Sequence, residues 1–230
     1  MISVIIPAYD EEKFLPICLA RLKECKAKNY EIIVVDAGSR DRTVEIARKF
    51  GCRVIRGRKN GVGDAKNTGA RKARGGIIAF LDADSKPWRG WIDVIEREFA
   101  KDADLQALGG PTDYGHRRYF LAEYPFWTNV ITKRIGFFYL SGTNSAYRKD
   151  FFLSQGGFRP ICCEETEFAH RISRHWRRMR FASDMRVTLS PRRFVAHGFL
   201  RTHARWLFID LKIFLGIYEL GSAYGAEIKK

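Results

Sequence analysis

Apolar positions along this chain change period as the chain proceeds. Short β-rich runs at residues 2–6, 31–35, 52–56 and 77–81 alternate with amphipathic stretches at 13–26, 41–50 and 63–73. Strand and helix in turn, at this spacing, predict βαβ units and a mostly parallel sheet flanked by helices, an α/β fold. Within 41–50, Val44, Ala47 and Phe50 share one helical face while Arg42, Glu45, Arg48 and Lys49 stay in water. Pro16 suits the first turn of its helix, where a missing N–H costs nothing. After Trp88 the pattern predicts a helix at 88–99, a strand at 106–110, an aromatic-rich segment at 114–138, strands at 141–148 and 186–190, a helix at 165–176, and helix from His197 onward. No internal repeat or low-complexity linker interrupts it, so one compact domain with a C-terminal helical appendage is expected.

Composition narrows the partners. The net charge of +15 and a pI near 9.8 predict attraction to something anionic: nucleic acid, a phosphorylated substrate or a negatively charged membrane. Five cysteines, with no C-x-x-C pair, read as reduced thiols and hence a cytosolic face. The N-terminal run lacks a basic leader and reads as the first strand. No stretch approaches the roughly 20 apolar residues that a membrane span requires.

The strongest chemical signal is a pair of carboxylates, Asp82 and Asp84, directly after the apolar run 77–81. A buried strand would deliver both to the sheet edge where open α/β folds bind ligands, and two hard oxygen donors there suit a divalent cation and its ligand. The first strand likewise ends at Pro7-Ala8-Tyr9-Asp10-Glu11 and the second at Asp36. Glu11 and Asp36 are acceptor-only groups that could take hydrogen bonds from a base or ribose. Ser39 or Asp41 would cap the helix that follows.

Taken in order, 3–11, Val34 to Thr43, Lys66-Asn67-Thr68-Gly69 and Phe80-Leu81-Asp82-Ala83-Asp84 resemble the nucleotide-sugar half of glycosyltransferase family 2, with the GT-A fold. The resemblance implies a nucleoside-diphosphate-sugar donor, a divalent metal (Mn2+ or Mg2+) and inversion at the anomeric carbon. Pro7, Ala8, Tyr9, Glu11 and Asp36 would surround the nucleoside with Lys66 and Asn67 close by, and Asp82, Ala83 and Asp84 would meet ribose and diphosphate, the metal resting on Asp84 and Asp82. Three positions in this half depart from the family pattern: Asp10 stands where an Asn is usual, Ala37 follows Asp36 in place of a second Asp or a Gly, and Lys86 stands where some lipid-phosphate members place a further metal ligand. Further on, 141–148, Gly156-Gly157-Phe158 and the acidic run at Glu164-Glu165-Thr166-Glu167 resemble the acceptor half, which makes Glu165 the general base. Arg192 and Arg193 resemble the basic segment that closes over the donor, where forked guanidiniums suit phosphate oxygens. The expected division is residues 1–118 for the donor half, 119–196 for the acceptor half of the same domain, and 197–230 for a C-terminal interfacial segment.

That last segment is apolar and aromatic from Trp206 to Tyr218, and ten arginines against one acid, Asp184, precede it between Arg171 and Arg205. Such composition predicts an element lying in a lipid interface, with a second aromatic patch at Tyr119, Phe120, Tyr124, Phe126, Trp127, Phe137, Phe138 and Tyr139 around Lys133 and Arg134. The expectation is a peripheral, monotopic enzyme on the cytoplasmic face of the membrane, moving a hexose, mannose from GDP-mannose first and a UDP-sugar second, to a polyprenyl-linked acceptor. A phosphate acceptor, as in a polyprenyl-phosphate sugar synthase, is the alternative. A basic nucleic-acid-binding protein is the rival class, disfavoured because Asp36, Asp82 and Asp84 would repel a phosphate backbone.

Overall fold

A computed structural model describes residues 1–115 and 140–217. Its core is a seven-stranded sheet in the order β3-β2-β1-β4-β8-β6-β9. β1 (Ile2–Ala8) lies centrally, parallel to both β2 (Tyr30–Asp36) and β4 (Ile77–Phe80), and β3 (Arg53–Arg56) extends the parallel edge beyond β2. β8 (Ser145–Arg148) runs antiparallel between β4 and β6 (Ala107–Gly109), and β9 (Met179–Phe181) pairs parallel with β6. Six strands thus point one way and one opposes them. β8 belongs to the second half of the sequence yet is inserted between two strands of the first, so both halves share one sheet.

The central strands are buried on both faces, which explains their near-continuous apolar runs. One face packs Leu15, Leu19 and Leu22 of α1 (Leu15–Lys23), Ala47 of α2 (Thr43–Lys49), and Trp91, Ile95 and Phe99 of α4 (Trp91–Lys101). The other packs α3 (Val62–Lys72), α5 (Lys149–Ser154) and α6 (Glu164–Ile172) around the tilted rings of Phe80, Tyr147, Phe152, Phe158 and Phe168. α3 settles closely on β1 and β2 because Gly69 has no side chain: a Cβ there would enter the van der Waals shell of Ile5 and meet Val35.

Several expected elements change shape. The predicted 165–176 helix stops at Ile172 and tightens into a 3-10 turn at Ser173–Arg178. α5 and β9 were not read from the pattern, both being short. The expected strand at 141–148 keeps only its last four residues, since the fully buried Asn144 ends a turn there. Asn144 accepts from the Trp91 indole (2.8 Å) and donates to the carbonyls of Pro111 and Met185. The 186–190 strand becomes β10 (Val187–Thr188) of a small second sheet with β5 (Lys86–Pro87) and β7 (Thr112–Asp113). Helix resumes at α7 (Arg192–His197), breaks at Gly198 (φ 80°), and continues as α8 (Phe199–Phe214). The aromatic patch at 119–139, and Tyr218, lie outside the described residues.

Candidate active site

The register of the central strands assembles the site. Ala8 pairs with Asp36 and Ile5 with Phe80, so the C-terminal ends of β1, β2 and β4 release Tyr9, Asp36 and Asp82 along one edge. The two loops leaving β1 and β2 are then laced together. Asp10, in the left-handed region at φ 54°, donates its N–H to Ser39 Oγ (2.9 Å) and accepts the Arg40 N–H on Oδ1 (2.7 Å). Asp tolerates that backbone region nearly as well as the Asn usual there, because a short polar side chain can bond locally. Glu11 N–H donates to Thr43 Oγ1 (2.8 Å) and Glu12 N–H to Asp41 Oδ2 (3.0 Å). Ser39 therefore ties loop to loop instead of capping a helix. Asp41 accepts the Thr43 N–H (2.9 Å) and steadies the turn into α2.

Asp36 is already engaged. Its carboxylate accepts N–H bonds from Gly38 and Ser39 and the Ser39 hydroxyl, three donors from its own turn. Pro7 and Tyr9 are half-buried and Ala8 is buried; the Lys59 ammonium stands 4.8 Å from the Tyr9 ring centre. Asn67 turns toward Phe158, where its amide grips that residue's backbone from both ends, accepting from N–H (2.9 Å) and donating to the carbonyl (2.7 Å).

Asp82 and Asp84 come together with Glu11, Lys66, Glu164, Arg192 and Arg193. Arg192 forms a bidentate pair with Glu11 (2.7 and 3.1 Å) and reaches Asp84 Oδ2 through Nε (2.8 Å). Arg193 faces the same cluster, its charge felt at Asp84 and Lys66. Lys66, buried, lies between the acids of the β4 end and of α6, with Nζ 3.7 Å from both Asp82 Oδ1 and Glu164 Oε1. Burial pushes the Lys66 ammonium down, but Asp82 and Glu164 outweigh it and hold the group above the ordinary lysine range. Burial, then Asp82, raises the Asp84 carboxyl to about 6, against the pull of Arg192.

Glu165 lies on the far wall. A Cβ built on Gly142 would stand 3.0 Å from Lys66 Nζ and 3.1 Å from Glu165 Cβ, so glycine lets the 140s turn pass close between them. The three acids of α6 have separate work. Glu164 is buried against Lys66, and Glu167 is bound by Arg171 (2.8 Å) and Arg159 (3.2 Å). The half-buried Glu165 has no hydrogen-bond or ion-pair partner among the described residues. Tyr114, its ring tilted against Phe194 at 4.7 Å between ring centres, is a neighbour that sequence reasoning missed. Burial raises its phenol, Arg193 opposes, and Asp84, Asp82 and Glu165 reinforce the rise, so it borders both groups of acids.

The donor set suits a divalent cation. Asp82 Oδ1 is buried without a hydrogen-bond partner, and Asp84 beside it resists ionising while only arginine answers its charge. Among the described residues no group of three or more His, Cys, Asp or Glu side chains converges, and His197 is exposed at the end of α7. Two carboxylates alone would leave most of a cation's coordination to its ligand and water.

The family model for glycosyl transferase family 2 matches residues 3–162, well over half of the chain. The chain belongs to glycosyltransferase family 2. Glu165, Arg192 and Arg193 lie beyond the matched stretch. Among curated proteins, the glycosyltransferase AglE of Haloferax volcanii is 38% identical over 100 residues, 40% of this chain and 33% of AglE. The chain therefore spans about a third of that relative's length. Among solved structures, glucosyl-3-phosphoglycerate synthase from Mycobacterium tuberculosis, in complex with Mn2+, UDP and glucosyl-3-phosphoglycerate, superposes with a TM-score of 0.70 at 19% identity, covering 95% of this chain and 81% of that one. The mannosyltransferase PcManGT from Pyrobaculum calidifontis, in complex with GDP-Man and Mn2+, gives 0.66 at 22% identity, covering 82% and 56%. These likenesses establish the GT-A type of α/β fold, with its mostly parallel sheet between helices.

Proposed function

We propose that this family 2 chain transfers a hexose from a nucleoside-diphosphate sugar to a membrane-held, polyprenyl-linked acceptor, with a divalent metal and with inversion. The observation that carries the reading is the Asp82 oxygen beside Asp84 that has no hydrogen bond, with Lys66 3.7 Å from it and Glu165 close to Lys66 across Gly142. Mn2+ or Mg2+ held by Asp82 and Asp84 would neutralise charge on the diphosphate, as the Mn2+ complexes of the two fold neighbours suggest. Glu165 accepts the proton of the acceptor hydroxyl as its oxygen bonds to the anomeric carbon and the bond to the diphosphate oxygen breaks. Arg192 exchanges Glu11 and Asp84 for the diphosphate oxygens, and Arg193 adds a second charge. An acceptor that is already a phosphate needs no base, and Glu165 then only positions it.

GDP-mannose is the first donor to test. A UDP-sugar is the second, and one observation favours it: with three donors already on Asp36, little acceptor capacity remains for the paired donors of guanine, whereas uracil presents one N–H.

Membrane association rests on α8. Leu200, Leu207, Phe208, Leu211, Phe214 and Leu215 fall on one helical face and are all more than half exposed, while Thr202 and Ile213 are buried on the other. Lys212 lies over the Phe208 ring at 4.8 Å, a cation at the edge of the apolar stripe. No helix among the described residues is long and apolar enough to cross a membrane, so α8 would lie in the interface. The five free cysteines support a reducing compartment, the cytoplasmic face.

The test is transfer of label from GDP-mannose, UDP-glucose and UDP-N-acetylglucosamine to polyprenyl-linked acceptors, with Mn2+ or Mg2+. With a hydroxyl acceptor, Glu165→Gln should lower kcat by roughly 10²–10⁴-fold, and with a phosphate acceptor it should leave substantial turnover. Absence of transfer from every donor in the presence of metal would refute the reading.

A further inference from the structure

Two adjacent thiols stand at the entrance to α6, immediately before Glu164 and Glu165, and the site described above does not use them. Cys162 and Cys163 are both half-buried, with sulfurs 3.8 Å apart in hydrogen-bond contact. Cys163 is one of only two non-glycine residues with positive φ among the described residues (φ 57°, ψ 47°), and it forms the N-terminal boundary of α6. Its carbonyl accepts the N–H groups of Thr166 (3.0 Å) and Glu167 (3.4 Å), so its backbone conformation fixes where the helix begins.

The two thiols are electrically unequal. The hydrogen-bond contact with Cys163 holds the Cys162 thiol below its ordinary range, with Arg205 of α8 assisting against burial and the nearby glutamates. The same contact, with burial, Glu165 and Asp210, pushes the Cys163 thiol up. Of the two sulfurs, Cys162 has the Arg205 charge nearby, which favours it as the nucleophile with Cys163 as its partner. By contrast, Cys18 is fully buried, and burial and Asp84 raise its thiol. Cys52 is also buried, its thiol raised to about 11 by that burial.

We propose that Cys162 and Cys163 form a reversible dithiol–disulfide site, oxidised by hydrogen peroxide, whose closure displaces the start of α6 and with it Glu165. The Cys162 thiolate attacks one peroxide oxygen, giving a sulfenic acid and hydroxide. The Cys163 sulfur then attacks the sulfenic sulfur; its proton and the departing hydroxyl leave as water. Two thiols and one peroxide thus yield one disulfide and two waters. Neighbouring Cα atoms are about 3.8 Å apart, short of the roughly 4.4–6.8 Å that disulfides favour. The sulfurs cannot bond without a change in the Cys163 backbone. Such a linkage is readily reduced, as befits a switch and not a brace.

The chemical step stands apart from the proposed transfer reaction; only its effect on turnover rests on Glu165 as base. The test exposes the full chain to limiting peroxide, blocks free thiols, and follows intact mass, peptide mapping and amide hydrogen exchange. Loss of two hydrogens should map to 162–163, reverse with dithiothreitol, and be absent in Cys162→Ser and Cys163→Ser. Exchange at the Thr166 and Glu167 amides should rise on oxidation. Turnover with a hydroxyl acceptor should fall on the order of tenfold or more, since small misplacement of a reacting group is costly, while Cys162→Ser in peroxide should keep its rate. A pair that stays unlinked, or passes directly to sulfinic acid, overturns the site. A linked pair with unchanged exchange at Thr166 and Glu167 overturns the coupling to α6.

Discussion

At the scale of single residues, Lys66 decides how the site is held together. It is the buried cation that joins Asp82 of the β4 end to Glu164 of α6, residues that are 82 positions apart in the chain. Lys66→Met would leave Glu164 buried beside Glu165 without its partner, and removing one member of a buried pair costs about 3–5 kcal/mol. A double change, Lys66→Met with Glu164→Gln, removes the stranded charge and should recover most of that loss in urea unfolding. Equal destabilisation of the single and double variants would deny the pair this role. The carboxylates at strand ends were legible in sequence because strand, turn and acid are contiguous: Asp36, Asp82 and Asp84 all emerge at the expected edge. Partnerships across the chain were not legible. Nothing local connects Arg192 with Glu11, 181 positions away, or reveals that Asn67 would be consumed by the Phe158 backbone. The acids of α6 read alike in sequence, and only the positions of Lys66, Arg159 and Arg171 distinguish Glu165 from its neighbours.

At the scale of elements, the site depends on how closely α3 sits on the sheet, because α3 carries Lys66 and Asn67. Gly69→Ala gains helix propensity of up to about 1 kcal/mol, but its methyl meets the fully buried Ile5 and Val35, and overpacking costs typically 1–3 kcal/mol. A net loss of stability in denaturant titration is expected, together with weaker donor binding as Lys66 is lifted away. Unchanged stability would show that β1 yields more easily than its burial implies. The period of the apolar pattern revealed the alternating helices and strands of the first half, where each element is long. It failed where elements are short: α5 has six residues and β9 three, below the length at which a period registers. The break at Gly198 separates α7 from α8 and leaves α7 free to carry Arg192 and Arg193 into the site.

At the scale of the whole molecule, charge and apolar surface act together. The ten arginines between Arg171 and Arg205 suggested a cationic surface, but several are committed within the fold: Arg171 to Glu167, Arg180 to Glu98 and Asp102, Arg192 to Glu11 and Asp84. Membrane affinity should therefore depend on the α8 stripe as well as on charge. Flotation with anionic vesicles is expected at low salt and should weaken strongly near 1 M salt, where the Debye length falls to about 3 Å. Leu207→Asp with Phe208→Asp should abolish flotation without lowering the melting temperature, both side chains being 59% exposed. Flotation that survives this double change would move the contact elsewhere.

The central claim is that Asp82 and Asp84 hold a cation whose partner is the diphosphate of an activated sugar, and the most direct measurement is thermal unfolding with GDP, UDP or single-stranded DNA, each with and without Mn2+. One nucleoside diphosphate should stabilise the chain only when Mn2+ is present, by about 2.7 kcal/mol at a hundredfold excess over its Kd, and Asp82→Ala with Asp84→Ala should erase the effect. Stabilisation that ignores the metal, persists in the double variant, or appears only with DNA would contradict the account.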